Sequence, residues 1–234
     1  MNGSDNMKYG KMVHGILHKK VNRFIAEVFI DGVIEEVHIK NTGRLKELLV
    51  PNAEVLLELS NNPNRKTRFS LVAVMKDNCL VNIDSQAPNV VVFEAIKAGK
   101  IPEIGLVDIL KREVTYGDSR FDLYYERKGE KGFIEVKGVT LEVNGVAMFP
   151  DAPTVRGTKH VMELVKARQE GYMTTILFVV QMQGCRAFMP NKEMDVGFAN
   201  ALNEASQQGV QILVYDSIVK EDELSLDKSV SVKL

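Results

Sequence analysis

Residues 119–140 read SRFDLYYERKGEKGFIEVKGVT. Apolar and polar side chains alternate on both sides of a polar stretch, Arg127-Lys128-Gly129-Glu130-Lys131. Two alternating runs joined by a glycine-containing turn predict a β-hairpin of residues 120–126 with 132–140. With the turn centred near Gly129, Asp122 is expected to face Lys137, and Tyr124 to face Glu135. Side chains alternate along a strand, so Asp122, Glu135 and Lys137 then share one face. Phe121, Leu123, Tyr125, Ile134 and Val136 share the other. The apolar face is complete without the charged trio, so folding does not require it.

Two carboxylates brought together repel unless a cation sits between them. Their hard oxygens suit Mg²⁺ or Mn²⁺. Such an ion polarises a phosphoryl oxygen and lowers the pKa of a bound water. A lysine two residues beyond one carboxylate can position that water. The spacing by itself also fits a solvated strand face, where acids and lysines pair across strands at about 0.2–1 kcal/mol each.

The flanking segments set the hairpin in a larger unit. Residues 88–98 show helical spacing and are closed by Gly99 and Pro102, and 113–116 form a short strand. A helix over 154–170 is closed by Gly171. Residues 174–181 are apolar almost throughout, which predicts a strand buried on both faces. A helix over 196–208 ends at Gly209, and a strand follows over 210–215. The order α-β-β-β-α-β-α-β predicts a mixed sheet flanked by helices. On the 154–170 helix, Arg156, Lys159, His160 and Glu163 fall on one face. Val161, Met162, Leu164 and Val165 supply its buried side. Either the polar face is solvated, with a Glu163–Lys159 pair, or it turns to the acids. In the second case Arg156 and Lys159 meet phosphate oxygens and His160 orients water or substrate. Asp151 and Thr154 are candidates to cap the helix, and Asp151 is alternatively an acid behind the site.

The chain changes character near residue 80. Phe24, Ala26, Val28 and Ile30 share a parity, Asp31-Gly32 follows, and 33–39 alternate again, which predicts a second hairpin. Residues 55–59, ended by Asn61-Asn62-Pro63-Asn64, and 69–75 are further strands. Short strands at roughly ten-residue spacing suggest a small antiparallel barrel. The expected class is α+β: an OB-like small β-barrel over 1–80 and an α/β domain over 81–234. Lys19, Lys20, Arg23, Arg44, Lys46, Arg65, Lys66 and Arg68 cluster in three segments of the barrel, and together they would make a groove for backbone phosphates. Phe24 and Phe69 are expected in the core rather than stacked on bases. The polar loop Asn41-Thr42-Gly43-Arg44 is expected to touch ligand or the other domain. His14 and His18 lie on a strand and make a poor metal pair. Asn82, Asp84, Gln86 and Asn89 read as turn and helix-start residues between the domains.

Composition bounds the rest. The 234 residues are 45% hydrophobic and 26% charged, an ordinary globular balance. Thirty Lys and Arg against 31 Asp and Glu leave a net charge of −1, which excludes a histone-like binder but not a local basic surface. Cys79 and Cys185 allow neither a disulfide scaffold nor a CxxC zinc site, and read as reduced, buried thiols. No apolar run approaches the roughly 18–20 residues of a membrane span. The polar start Met1-Asn2-Gly3-Ser4-Asp5-Asn6 lacks a signal-peptide core, Met7 reads as the natural beginning, and a cytoplasmic protein without a membrane partner is expected. No recognition helix of the helix-turn-helix kind is visible, so sequence specificity is expected to be weak.

The hairpin, preceded by a helix and strand and followed by a helix and a buried strand, resembles the PD-(D/E)xK nuclease core, here as Ser119-Arg120-Phe121-Asp122 and Ile134-Glu135-Val136-Lys137. The resemblance implies that Asp122 and Glu135 hold the metal with the Val136 carbonyl, and that Lys137 positions the water. It implies an extra acid, Glu94 or Glu113, and places Arg120, Arg156, Lys159 and His160 behind the acids or on phosphate. Phe121 stands where the pattern has proline. A second resemblance covers nearly the whole chain. Val21-Asn22-Arg23-Phe24, Asn41-Thr42-Gly43-Arg44-Leu45, the hairpin segments, Phe149-Pro150-Asp151-Ala152-Pro153-Thr154 and Arg156-Gly157-Thr158-Lys159-His160 are similar to the sugar fermentation stimulation protein A family. This implies an OB-like domain and a nuclease-like domain that bind DNA. It leaves open whether DNA is cut with Mg²⁺ or Mn²⁺, or only bound, as by a regulator of sugar (maltose) metabolism genes. RNA is a further target to weigh. The oligomeric state is open, with a homodimer among the options.

Overall fold

The computed structural model describes residues 6–234, and the polar start read at Met1 to Asp5 lies outside them. After a two-residue strand, β1 (Met7–Lys8), come β2 (Met12–Lys20), β3 (Ile25–Ile30), β4 (Val33–Ile39), β5 (Glu54–Leu59) and β6 (Phe69–Lys76). They pair in the order β4-β3-β2-β5-β6, and a parallel contact of β4 with β6 closes a five-stranded barrel. Strand β7 (Cys79–Asn82) adds to the open edge of β6. The β3–β4 hairpin turns on Asp31 and Gly32, at φ 50° and 81°, the two-residue geometry whose twist matches the flanking strands. Ala26, Val28 and Ile30 point into the barrel. Gly15 of β2 lies buried against that core. A Cβ there would stand 2.5 Å from Val28 Cγ1 and 2.9 Å from Leu57 Cδ1.

Phe69 is buried, as expected, but Phe24 is 45% exposed. The reason is local. Phe24 sits in a turn ahead of β3 that Asn22 closes, its Oδ1 accepting from the N–H groups of Phe24 and Ile25 at 2.8 and 3.0 Å. The parity shared with Ala26 therefore does not extend to it.

The second unit contains α1 (Ala87–Lys97), β8 (Ile109–Tyr116), β9 (Ser119–Arg127), β10 (Glu130–Val139), β11 (Leu141–Val143), β12 (Val146–Phe149), α2 (Val155–Gln169), β13 (Met173–Val180), β14 (Ala187–Pro190), α3 (Val196–Gln207), β15 (Gln211–Val219), β16 (Glu223–Ser229) and β17 (Ser231–Val232). A seven-stranded mixed sheet runs β1-β16-β15-β13-β10-β9-β8, with β10, β13 and β15 parallel to one another. Parallel strands at the centre are covered on both sides, and β13 is buried along nearly all its length. Helix α1 packs one face through Val91, Val92 and Ile96, against Leu123, Ile134, Val136 and Leu177. Helices α2 and α3 pack the other through Val161, Leu164, Phe198 and Leu202, and this core continues into the barrel interior. A smaller sheet, β11-β12-β14-β17, was not legible in the sequence, because its strands are two to four residues long and too short to show a period. Among the described residues no helix is long and apolar enough to cross a membrane.

Two expectations about the central hairpin need correction. Its turn is the two-residue pair Lys128-Gly129, at φ 50° and 84°, so Arg127 pairs with Glu130 and Leu123 with Ile134. Continuing that register sets Asp122 beside Glu135, not Lys137. It also sets Tyr124 against Phe133, not Glu135. The polar stretch is long enough to admit several turn registers, and only the pairing selects one. Phe121 also leaves the face of Leu123 and Tyr125. It packs with Phe133, ring centroids 5.0 Å apart, on the α2 side.

Candidate active site

The regular ladder of β9 with β10 stops at Leu123 and Ile134. Asp122 lies just past that point and fills the gap. Its Oδ2 accepts from the Val136 N–H at 2.8 Å, and its Oδ1 from the Asn89 side chain on α1 at 2.8 Å. The N–H and C=O of one strand residue leave on the same edge, so the Val136 carbonyl faces the same gap. Glu135 reaches toward α2 and is 2% exposed. The expected single face for the trio is thereby corrected: Asp122 meets Asn89 of α1 and Glu135 meets His160 of α2, with the two carboxylates still close enough to feel each other's charge. Glu135 Oε1 accepts from Lys137 Nζ at 2.5 Å and meets His160 Nδ1. Arg156 Nε–H lies 3.4 Å from His160 Nε2. That donor makes Nε2 the acceptor and leaves the imidazole proton on Nδ1, directed at Glu135. Helix α2 presents His160 there because Thr154 caps it, Oγ1 accepting from the Gly157 N–H at 3.0 Å.

The two acids titrate in opposite directions. Burial, and then the Glu135 charge, push the Asp122 carboxyl above its ordinary range. Burial alone would raise Glu135 too, but the His160 hydrogen bond and the Lys137 ammonium outweigh it and hold Glu135 below its ordinary value. One carboxylate is thus kept ionised beside another that holds its proton more tightly. The pair also fits an oxygen-seeking cation on its own chemistry. Glu135 Oε2 is buried without a hydrogen-bond partner, an arrangement that costs free energy unless something occupies that oxygen. Among the described residues no three His, Cys, Asp or Glu side chains are grouped so as to hold a metal ion together. A cation here would therefore take two carboxylates and the Val136 carbonyl, with water completing the shell.

The other expected residues divide. His160 reaches the acids, whereas Arg156 touches only His160, and Lys159 is exposed without an ion pair among the described residues. Neither extra acid is brought to the pair. Glu94 lies near Arg112 and Lys97, at 3.7 and 3.9 Å. Exposed Glu113 bonds exposed Arg120 at 3.3 Å. Asp151 does not cap α2, and its Oδ2 is buried without a partner. Asn89 is the residue the sequence reading missed. It was legible only as a helix-start asparagine, and its contact with Asp122 spans 33 residues.

On the barrel, Lys20 and Arg23 hold the 41–44 loop, giving hydrogen bonds to the carbonyls of Arg44 (2.8 Å) and Thr42 (3.3 Å). Lys19 pairs with Glu27 and Arg68 with Glu35. Arg44, Lys46 and Lys66 are exposed. Arg65 donates to the hydroxyls of Ser70 and Thr67 at 3.0 and 3.2 Å. His14 and His18 pair separately, with Glu221 and Glu27. The junction residues do more than turn the chain. Asn82 bonds Tyr9 and Gln181, and fully buried Asp84 pairs with Lys40 at 3.0 Å.

Comparison with known proteins agrees with this two-part architecture. Residues 19–83 match the model of the SfsA N-terminal OB domain, and residues 86–223 that of the sugar fermentation stimulation protein RE domain. A sugar fermentation stimulation protein homolog of Alkaliphilus oremlandii (strain OhILAs) is 54% identical over 97% of this chain and 98% of its own. One from Ruminiclostridium cellulolyticum is 47% identical over 97% and 100%. The solved structure of Pyrococcus furiosus SfsA in complex with Ca²⁺ is similar at a TM-score of 0.88 and 30% identity, over 97% of this chain and 98% of that one.

Proposed function

This chain belongs to the sugar fermentation stimulation protein family, and from that premise we propose that it binds DNA and hydrolyses its phosphodiester backbone at Asp122 and Glu135. The observation that carries the reading is Glu135 itself: a buried, ionised carboxylate with one oxygen unpartnered, next to a second acid. Asp122, Glu135 and the Val136 carbonyl would hold Mg²⁺ or Mn²⁺. When bound, such an ion polarises a phosphoryl oxygen and lowers the pKa of a bound water. Lys137 keeps Glu135 ionised, and its ammonium, held against Glu135, would position an attacking water. His160 fixes the direction of the Glu135 carboxylate. Arg156 spends one N–H on His160 and keeps the rest of its guanidinium for a phosphate oxygen. A cation of the same oxygen-seeking kind, Ca²⁺, accompanies the Pyrococcus furiosus relative. A DNA substrate puts this work in the cytoplasm.

The second reading is a DNA-binding regulator without turnover, and the family name, which refers to an effect on sugar fermentation and not to a chemistry, favours it. The two separate in one assay. Labelled single-stranded, duplex and branched DNA are incubated with the protein in Mg²⁺, Mn²⁺ or EDTA, beside Glu135→Ala. Metal-dependent products that disappear in the variant are expected. Retarded but uncut DNA in every lane, with Glu135→Ala binding as well or better, would support the regulator instead. In either case binding should weaken steeply with salt, since phosphate contacts release counterions.

A further inference from the structure

A hollow of about 560 Å³ in the barrel surface has exposed Phe24 and half-buried Arg65 on its wall. Phe24 is not core. Its ring is exposed, with the Arg23 guanidinium over one face at 5.6 Å from the centroid. Arg65 has no carboxylate partner among the described residues. Two hydroxyls hold its guanidinium in place without neutralising it, so the cation is positioned for an anion. The other cation in the hollow, Lys40, is already balanced by Asp84 and Glu58. Asn41, Thr42 and Ser85 line this hollow and also a smaller one of about 190 Å³. The smaller one reaches Gly138 and Asp151, next to Lys137. The two spaces therefore adjoin, from Phe24 across the domain junction to the end of the β10 segment that carries Glu135 and Lys137.

We propose that this path is a track for single-stranded DNA, with a base stacked on Phe24 and a phosphate on Arg65, and that it delivers the strand to the acids. The inference rests on the DNA reading above and adds the strand state. An exposed ring with a guanidinium over one face, and the Arg65 cation on the same hollow, match one nucleotide unit: base, then phosphate. Duplex DNA keeps its bases stacked inside and has no free base face for Phe24. Single strands do, and every base can use it.

The test is fluorescence anisotropy with a labelled oligo-dT and a duplex of the same length, at fixed salt and in EDTA. The proteins are the full chain, Phe24→Ala, Phe24→Tyr, Arg65→Gln and Glu135→Ala. The expected results are tighter binding of the single strand than of the duplex, a loss of about tenfold or more in Phe24→Ala, retention in Phe24→Tyr, and a loss in Arg65→Gln. Phe24→Tyr keeps the ring, so its retained binding also shows that the site still folds. Duplex bound as tightly as single strand, or Phe24→Ala and Arg65→Gln binding oligo-dT like the parent, would overturn the track. If the parent and Glu135→Ala still bind in that case, the DNA reading stands and only the track fails. If the parent binds neither DNA, both fall.

Discussion

Single side chains here hold elements together across long sequence separations. Asp195 caps α3, Oδ1 accepting from the Phe198 N–H at 2.9 Å, and its Oδ2 accepts from the N–H of Thr154 at 2.8 Å. Thr154 is itself the cap of α2, the helix that carries His160. These backbone N–H groups, from Thr154 first and then Phe198, hold the Asp195 carboxyl below its ordinary value. Asp195→Ala should lower stability by about 1–2 kcal/mol, read from urea unfolding at pH 7. The sign of the pH dependence follows from the depressed value. The contribution is complete above the unfolded carboxylate pKa, about 3.9, and is lost as pH falls through the lower folded value. The gap between parent and variant should therefore close in acid. An equal gap at pH 7 and pH 2.5 would show that Asp195 acts through packing instead. Of this, the cap was within reach of sequence reasoning, since Asp195 stands just ahead of a helical run. The bond to Thr154 was not, because 41 residues separate the two.

At the scale of elements, legibility followed locality. The Asp31-Gly32 hairpin, the three long helices and the buried strand β13 were all readable, because their signals (turn chemistry, caps and periodicity) lie within a few residues of one another. The register of β9 on β10 was not. Five consecutive polar residues separate the alternating runs, and the choice of a Lys128-Gly129 turn is made by the pairing and by the aromatic contacts of Tyr116, Phe121 and Phe133. The barrel strands show a related constraint at Gly15. Its Cβ position is also 3.0 Å from the Phe29 carbonyl oxygen, so the obstruction includes backbone and cannot be relieved by one rotamer change. Gly15→Ala should cost about 1–3 kcal/mol by overpacking. An unchanged denaturation midpoint would mean that β2 can lift off the core.

For the whole molecule, the two domains are joined by more than a linker. Asn82 takes a hydrogen bond from Gln181 at 2.8 Å and gives one to Tyr9 at 2.8 Å, all three side chains being buried. Lys76 of the barrel reaches Glu142 at 2.9 Å, and β1 joins the mixed sheet through β16. With the apolar core continuous across the junction, the chain is expected to unfold in one calorimetric transition. Asn82→Ala would remove the acceptor of the buried Asp84 N–H and one bond each from Gln181, which keeps the Asp84 carbonyl, and from Tyr9, at about 1–3 kcal/mol for the stranded N–H. It should lower that transition, and two separate transitions in the parent would refute the coupling. The fold class, the elements with strong local periodicity, and the presence of Asp122, Glu135 and Lys137 on one hairpin were legible along the chain, because each depends on residues close together in it. That Asn89 and His160 complete the surroundings of the acids, and that Phe24 stays exposed, emerged only from the packed fold. Those depend on how α1, α2 and the barrel pack against the sheet, and packing is set by contacts between residues far apart in the chain.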